Sequence, residues 1–286
     1  MSNFWRLSTH SDFSRLADVV QHLDDAGIEG MTSWSLFDEG EVARLDLIFD
    51  GEPDVAAVRE RGSFPAEWVI DCAPMPEEDW VKLSLAGLKI VEAGRFVLFG
   101  EHQRDEAPQD KVRLEIEAGL AFGTGHHGTT RGCLLAFDEM LDAGEAPNTI
   151  LDLGCGTAAL AIAAAKTLPN AEIIASDIDP ESVEESTANC AKNGTPGIEC
   201  ILAEGLDHPK LADRQFELIF ANILAGPLVE LAPGIAKALA PGGKVILSGL
   251  LTEQEEWVRE AYEAAGLKLT RREPLEGWET LIGTPA

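Results

Sequence analysis

The 286-residue sequence predicts an α/β protein with a doubly wound, Rossmann-like sheet ending in a C-terminal antiparallel hairpin. A small ferredoxin-like α+β domain is expected ahead of it. Three observations lead there. The first seventy or so residues read β-α-β-β-α-β, the order of a split βαβ unit. Beyond Leu85, short apolar runs alternate with helical stripes, as in a mostly parallel sheet. Between Thr149 and Lys166 a strand, a glycine turn and an alanine-rich helix follow one another directly.

The first strand is read at Trp5–Thr9. Phe13, Leu16, Val19, Val20 and Leu23 then recur at three- and four-residue spacing, so one helical face is apolar up to about Gly27. Ser33–Phe37 and Ala43–Phe49 are strand-like and joined by the turn residues Asp38-Glu39-Gly40. A weaker helix, Pro53–Arg61, leads to a last strand at Glu67–Asp71. Residues 1–72 are therefore taken as one domain and 73–85 as a linker, where two prolines and an acidic trio interrupt any pattern. Trp80 in that linker reads as a packing peg.

Residues 86–286 form the second predicted domain. Strands are read at Arg95–Gly100 and Lys111–Glu117, then a helix at Arg131–Leu141. Further strands fall at Thr149–Leu153, Glu172–Ser176, Ile198–Leu202, Glu217–Ala221 and Lys244–Ser248, with helices between them. Leu267–Glu273 and Trp278–Gly283 close the chain as two strands around a short turn, which adds antiparallel pairing.

Composition narrows the function. The chain is 45% hydrophobic and 25% charged, which suits a globular protein with a substantial core. Its formal charge of −28 repels nucleic-acid phosphates and anionic membranes and attracts a basic partner. The five cysteines are scattered without a C-x-x-C pair, so neither a disulfide framework nor a zinc knuckle is indicated. No apolar stretch approaches the roughly 20 residues of a membrane span, and MSNFWRLSTH lacks the apolar run of a signal peptide. A cytoplasmic monomer is expected.

The chemistry concentrates in three stretches. In TILDLGCGTAALAIAAAK, Asp152 ends an apolar run before Gly154 and Gly156. Glycines there let backbone approach a ligand, and the helix that follows offers free N–H groups. The next strand ends in Ser176-Asp177-Ile178-Asp179. An acid at the second strand tip suits the two hydroxyls of a ribose, which assigns Asp177 to that role. Asp179 caps the next helix, with Pro180 at its first position. Gly154-x-Gly156-x-x-Ala159 also fits the dinucleotide fingerprint, so NAD stays open beside S-adenosylmethionine. Asp152 would be a poor neighbour for a pyrophosphate, but it could accept from a methionine amino group or position the turn. The third stretch, FELIFANILAGPL, places Asn222 at a strand end in the crevice where open α/β sheets bind ligands. Its amide carbonyl can accept a hydrogen bond from an amine. It resembles the Asn-Pro-Pro-Tyr type motif of enzymes that methylate nitrogen.

Phe122-Gly-Thr-Gly-His-His-Gly-Thr-Thr130, Leu151-Asp-Leu-Gly-Cys-Gly156, Ser176–Asp179 and Ala221–Leu228 occur in that order. Together with Ser248–Gln254 and Glu276–Glu279 they resemble the ribosomal protein L11 methyltransferase (PrmA) family. The resemblance implies a class I methyltransferase fold and an S-adenosylmethionine-dependent enzyme. It would methylate lysine ε-amines and the N-terminal α-amine of a basic large-subunit ribosomal protein, with the small domain recognising that substrate. By position, Thr130, Gly154, Asp177 and Asn222 match the family's cofactor-binding residues, and Asp152, Gly156 and Ile178 adjoin them. Phe122, His127 and Trp278 match residues that line its active site, with Asn222 facing the amine. Ala158 and Gly128 depart from the pattern, where glycine and proline are usual. Ala158 is expected inside the helix, where alanine is the better former. Gly128 should loosen the Phe122–Thr130 loop.

His127 is the one general-base candidate, and no dedicated base is required if water removes the proton. Adjacent histidines seldom ligate together and no clustered carboxylates accompany them, so no metal is expected. The alternatives are an N-methyltransferase of another basic protein, an NAD-dependent oxidoreductase and an inert binding module.

Overall fold

The structure is a computed structural model that describes residues 4–74, 90–116 and 128–286, except 14, 17, 18, 21, 22, 24–27, 29 and 39–41. The chain divides into two compact units, Met1–Gly87 and Leu88–Ala286.

In the first unit, β1 (Phe4–Ser11), β2 (Met31–Asp38), β3 (Ala43–Asp50) and β4 (Ile70–Pro74) form a sheet of order β2-β3-β1-β4. Every neighbouring pair is antiparallel. Alternate residues of β3, Ala43, Leu45, Leu47 and Phe49, are buried on one face. They share a cluster with Leu16, Val19, Val20 and Leu23, which are helical. The apolar spacing therefore marked the face that packs, except that Phe13 stays 44% exposed. The helix Val55–Arg61 starts later than read, because Asp54 is its cap and accepts from Ala56 and Ala57 N–H. β4 lies three residues beyond the predicted Glu67–Asp71. Trp68 turns into the core instead of joining the strand, edge-on to Phe64. Its carbonyl accepts from Arg59 Nη2 at 2.8 Å. The expected helix end near Gly27, the Glu39-Gly40 turn, and most of the linker with Trp80 lie outside the described residues.

The second unit opens with β5 (Val91–Ala93), β6 (Phe96–Phe99) and β7 (Val112–Glu115), which form a separate three-stranded sheet. The sequence reading found β6 and β7 but neither β5 nor their separation from the main sheet. The main sheet holds β8 (Thr149–Leu153), β9 (Glu172–Asp177), β10 (Glu199–Leu202), β11 (Phe216–Asn222), β12 (Leu239–Leu251), β13 (Leu267–Arg271) and β14 (Trp278–Pro285). Its order is β10-β9-β8-β11-β12-β14-β13. The first five are parallel, and β14 runs antiparallel to both β12 and β13.

Both faces of this sheet are covered, which is why its central strands read as mostly apolar runs. Along β11, Leu218 and Phe220 join the cluster that holds Phe137 of the helix Gly128–Asp142. Ile219 and Ala221 join the opposite one, with Leu228 and Ile235 of Ala225–Ala238 and Tyr262 of Glu255–Ala264. Burying each large apolar side chain contributes roughly 1.5–3 kcal/mol. The order reverses between β8 and β11: β8 is followed in sequence by β9 on one side, while β11 lies on the other. A crevice opens at the carboxyl ends of such a pair. Among the described residues, no helix is long and apolar enough to cross a membrane and no cluster of His, Cys, Asp and Glu could hold a metal.

Candidate active site

The turn after β8 is built from left-handed backbone. Gly154 has φ +67, Gly156 +50 and Ala158 +60. The helix starts at Ala159, so Ala158 is its cap and not its first turn, contrary to the sequence expectation. A side chain in that conformation costs about 1–2 kcal/mol, which explains why glycine suits the position. Asp152 is only 1% exposed and its Oδ2 accepts from Ala161 N–H at 2.9 Å. The carboxyl thus ties β8 to the first turn of the helix, the turn-positioning role of the two open to it. Burial pushes its pKa up to about 8.

Asp177, at the end of β9, closes the other side of the turn. Its Oδ2 accepts from Gly156 N–H at 2.8 Å and its Oδ1 from Asp179 N–H at 3.1 Å. Ile178 beside it is 66% exposed. Asp179 caps Pro180–Lys192 as expected, accepting from the N–H groups of Glu181 and Ser182. Those bonds lower its pKa.

Asn222 ends β11, and its Nδ2 donates to Thr130 Oγ1 at 3.3 Å. An amide that donates through nitrogen keeps Oδ1 as an acceptor. Thr130 is buried in the first turn of Gly128–Asp142. The stretch read as a loop through Thr130 is therefore helical from Gly128 onward. Phe122, His126 and His127 lie outside the described residues. Gly128 has a packing reason: a Cβ there would sit 2.5 Å from Leu275 O and 3.3 Å from Trp278 Cδ1. Its bare Cα seats the turn in which Leu275 and Trp278 exchange backbone hydrogen bonds of 3.0 and 2.9 Å. Trp278 is thus beside the start of the helix that carries Thr130.

Two further residues complete the arrangement, and the sequence reading gave neither a role. A Cβ on Gly154 would collide with Ile223 Cγ2. A Cβ on Gly249 would lie 2.7 Å from the carbonyl carbon of Ile223 and 3.0 Å from its nitrogen. Ile223 is thereby seated between two glycines, with its side chain on the Gly154 turn and its backbone against Gly249. Gly249 has φ +88 and follows Ser248, which pairs in register with Asn222 and whose hydroxyl donates to Glu279 O at 2.7 Å. The signal in the sequence was the Ser-Gly pair at the end of an apolar run, which marks a bulge or close backbone approach.

Thr130, Asn222, Ile223 and Gly154 thus form one contiguous group, and Gly156 and Asp177 a second on the same turn. Both lie at the carboxyl ends of parallel strands. This places a carboxylate and an amide at one edge of the sheet, with no Lys or Arg from Thr149 through Ala165.

Comparison with known proteins places the chain in a family. A model of the family described as "Ribosomal protein L11 methyltransferase (PrmA)" matches residues 51–285. A ribosomal protein L11 methyltransferase of Bradyrhizobium diazoefficiens is 45% identical over 272 residues, covering 92% of this chain and 91% of that protein. One from Brucella abortus is 49% identical over 212 residues, 73% of this chain and 74% of that protein. The crystal structure of a ribosomal protein L11 methylase from Lactobacillus delbrueckii subsp. bulgaricus superposes with a TM-score of 0.62 at 28% identity, over 69% of this chain and 99% of that one. With the family match spanning most of the sequence and the sheet, glycine turn and strand-end asparagine in place, the chain belongs to the ribosomal protein L11 methyltransferase (PrmA) family.

Proposed function

We propose that this chain transfers methyl groups from S-adenosylmethionine to ribosomal protein L11, at lysine ε-amines and the N-terminal α-amine. The observation that carries this reading is the grouping of Asn222, Thr130 and the Gly154 turn at the switch point of the sheet. The residues fit that cofactor. Gly154 and Gly156 let the chain take the left-handed turn between β8 and the helix, and Asp177 stands where ribose hydroxyls can donate to it. The carboxylate of Asp177, with no cation on the turn, suits a sulfonium amino acid better than a pyrophosphate. Thr130, Gly154, Gly156, Asp177, Ile178 and Asn222 would hold the cofactor, with Asp152 supporting the turn from behind.

When bound, S-adenosylmethionine supplies a methyl group on a cationic sulfur. The chain's task is alignment, which can supply about 7–11 kcal/mol of a barrier. The amine must be neutral, and at a pKa near 10.4 only about one free lysine in a few thousand is neutral at pH 7. Desolvation in the crevice lowers that pKa. The Asn222 carbonyl orients the amine, Phe122 and Trp278 border the methylammonium as it forms, and His127 or water takes the proton. The first unit, read as ferredoxin-like, would recognise the substrate, joined by a linker at 73–85. The charge of −28 favours encounter with a basic ribosomal protein over nucleic acid. We place the enzyme in the cytoplasm as a monomer.

The test is ligand discrimination. S-adenosylhomocysteine should raise the melting temperature and NAD should not, and Asn222→Ala should weaken the former effect and lose turnover. Stabilisation by NAD alone would make the chain an oxidoreductase.

A further inference from the structure

We propose that Cys190 and Cys200 form a reversible disulfide site, closed by a hydroperoxide and reopened by thiols, whose closure loosens the cofactor turn. The two residues are not a sequence motif. The fold brings them together by laying the helix Pro180–Lys192 against β10, with the sulfurs 3.9 Å apart and both thiols free. Their surroundings differ in a useful way. Cys200 lies half-buried on β10, the edge strand of the main sheet, where a small oxidant can reach it. Cys190 is 3% exposed, directly behind it.

The contact with the Cys190 thiol outweighs burial and lowers the pKa of Cys200 to about 6. The same contact and burial push Cys190 up. Cys200 is therefore the attacking thiolate and Cys190 the resolving thiol. The Cys200 sulfur forms a bond to one peroxide oxygen as the O–O bond breaks, and hydroxide leaves. The Cys190 sulfur then attacks that of Cys200. The S–S bond forms, the S–O bond breaks, and the oxygen held on Cys200 departs as water with the Cys190 proton. Two thiols are oxidised by two electrons and one hydroperoxide is reduced. Two glutathione thiols reverse the change by exchange.

Closure requires the sulfurs to approach by about 2 Å, to the 2.05 Å of a disulfide. The helix that carries Cys190 is tied to the cofactor turn at one point and to the three-stranded sheet at another. Asn189 Nδ2 donates to Thr157 O at 3.2 Å, between Gly156 and Ala158. Asn193 accepts from Glu115 N–H at 2.9 Å and donates to Glu115 O at 2.7 Å, at the end of β7. Pulling the helix toward β10 strains both ties.

The experiment treats the full chain with hydrogen peroxide, then with dithiothreitol. Intact mass and peptide mapping should show the loss of two hydrogens and a peptide linking Cys190 to Cys200. S-adenosylhomocysteine affinity should fall about ten-fold, within the usual range of coupling between sites, and recover on reduction. Cys200→Ser, and independently Cys190→Ala, should bind as the reduced protein does and ignore peroxide. Absence of the linked peptide, or unchanged affinity in the linked protein, overturns the proposal. The consequence for affinity rests on the cofactor reading. Should neither form bind S-adenosylhomocysteine, that reading fails, and amide exchange across residues 154–160 decides the coupling: faster on oxidation supports it, unchanged refutes it.

Discussion

Replacing Gly249 with alanine tests whether the seat of Ile223 sets the position of Asn222. The new Cβ would lie 2.7 Å from the Ile223 carbonyl carbon, against a comfortable carbon–carbon separation of about 3.5 Å. Something must move by nearly 1 Å. The obstructing atoms are backbone and cannot rotate away, so the Ile223 backbone moves and displaces Asn222 beside it. Stability should fall by about 2–4 kcal/mol, from overpacking together with the left-handed φ of +88. A misplacement of about 1 Å at a reacting group costs on the order of 100-fold in rate. The assay pairs a thermal melt with kcat for methyl transfer and Kd for S-adenosylhomocysteine. A folded Gly249→Ala protein should lose about 100-fold in kcat while Kd changes by less than about five-fold. Gly154→Ala supplies the contrast. Its Cβ meets only the Ile223 side chain, so Ile223→Ala should restore Gly154→Ala in part and leave Gly249→Ala unrescued. A folded Gly249→Ala enzyme with wild-type kcat, or its rescue by Ile223→Ala, would refute the reasoning.

The remaining predictions concern the turn. Ala158→Gly relieves about 1–2 kcal/mol of left-handed strain. It loses about 0.8 kcal/mol of methyl burial and a similar amount to unfolded-chain entropy, so thermal denaturation should find it within about 1 kcal/mol of wild type. A helical Ala158 would instead lose about 2 kcal/mol on the same substitution. Asp152 bears on pH. With its folded pKa raised to about 8, it keeps its proton while the unfolded chain, near 3.8, loses one. Stability from this group should therefore decline as pH rises from about 4 to about 8. Chemical denaturation across that range should show the decline in wild type and a flatter profile in Asp152→Asn. An equal slope in both would show that Asp152 ionises normally.

Much of this arrangement was legible because its signals are local. The runs at Thr149–Leu153 and Phe216–Asn222 are mostly apolar, as strands buried on both faces must be, and each carries a polar residue near its carboxyl end, Asp152 in one and Asn222 in the other. Asp179-Pro180 announced its cap in two letters. What failed to show was set by distance or by backbone. Thr130 and Asn222 bond across 92 positions, and Gly249 matters only because Ile223 passes over it. Ala158 misled because propensity ranks alanine for helices and says nothing of a cap with positive φ. Trp68 displaced β4 because burial against Phe64 outweighed strand pattern.

The central claim is tested most directly by incubating the purified chain with S-adenosylmethionine labelled in the methyl group and unmethylated ribosomal protein L11, followed by peptide mapping. The account predicts label on L11 at its N-terminal α-amine and at lysines, and none with Asn222→Ala. A folded wild-type chain that binds the cofactor yet leaves L11 unlabelled would contradict it.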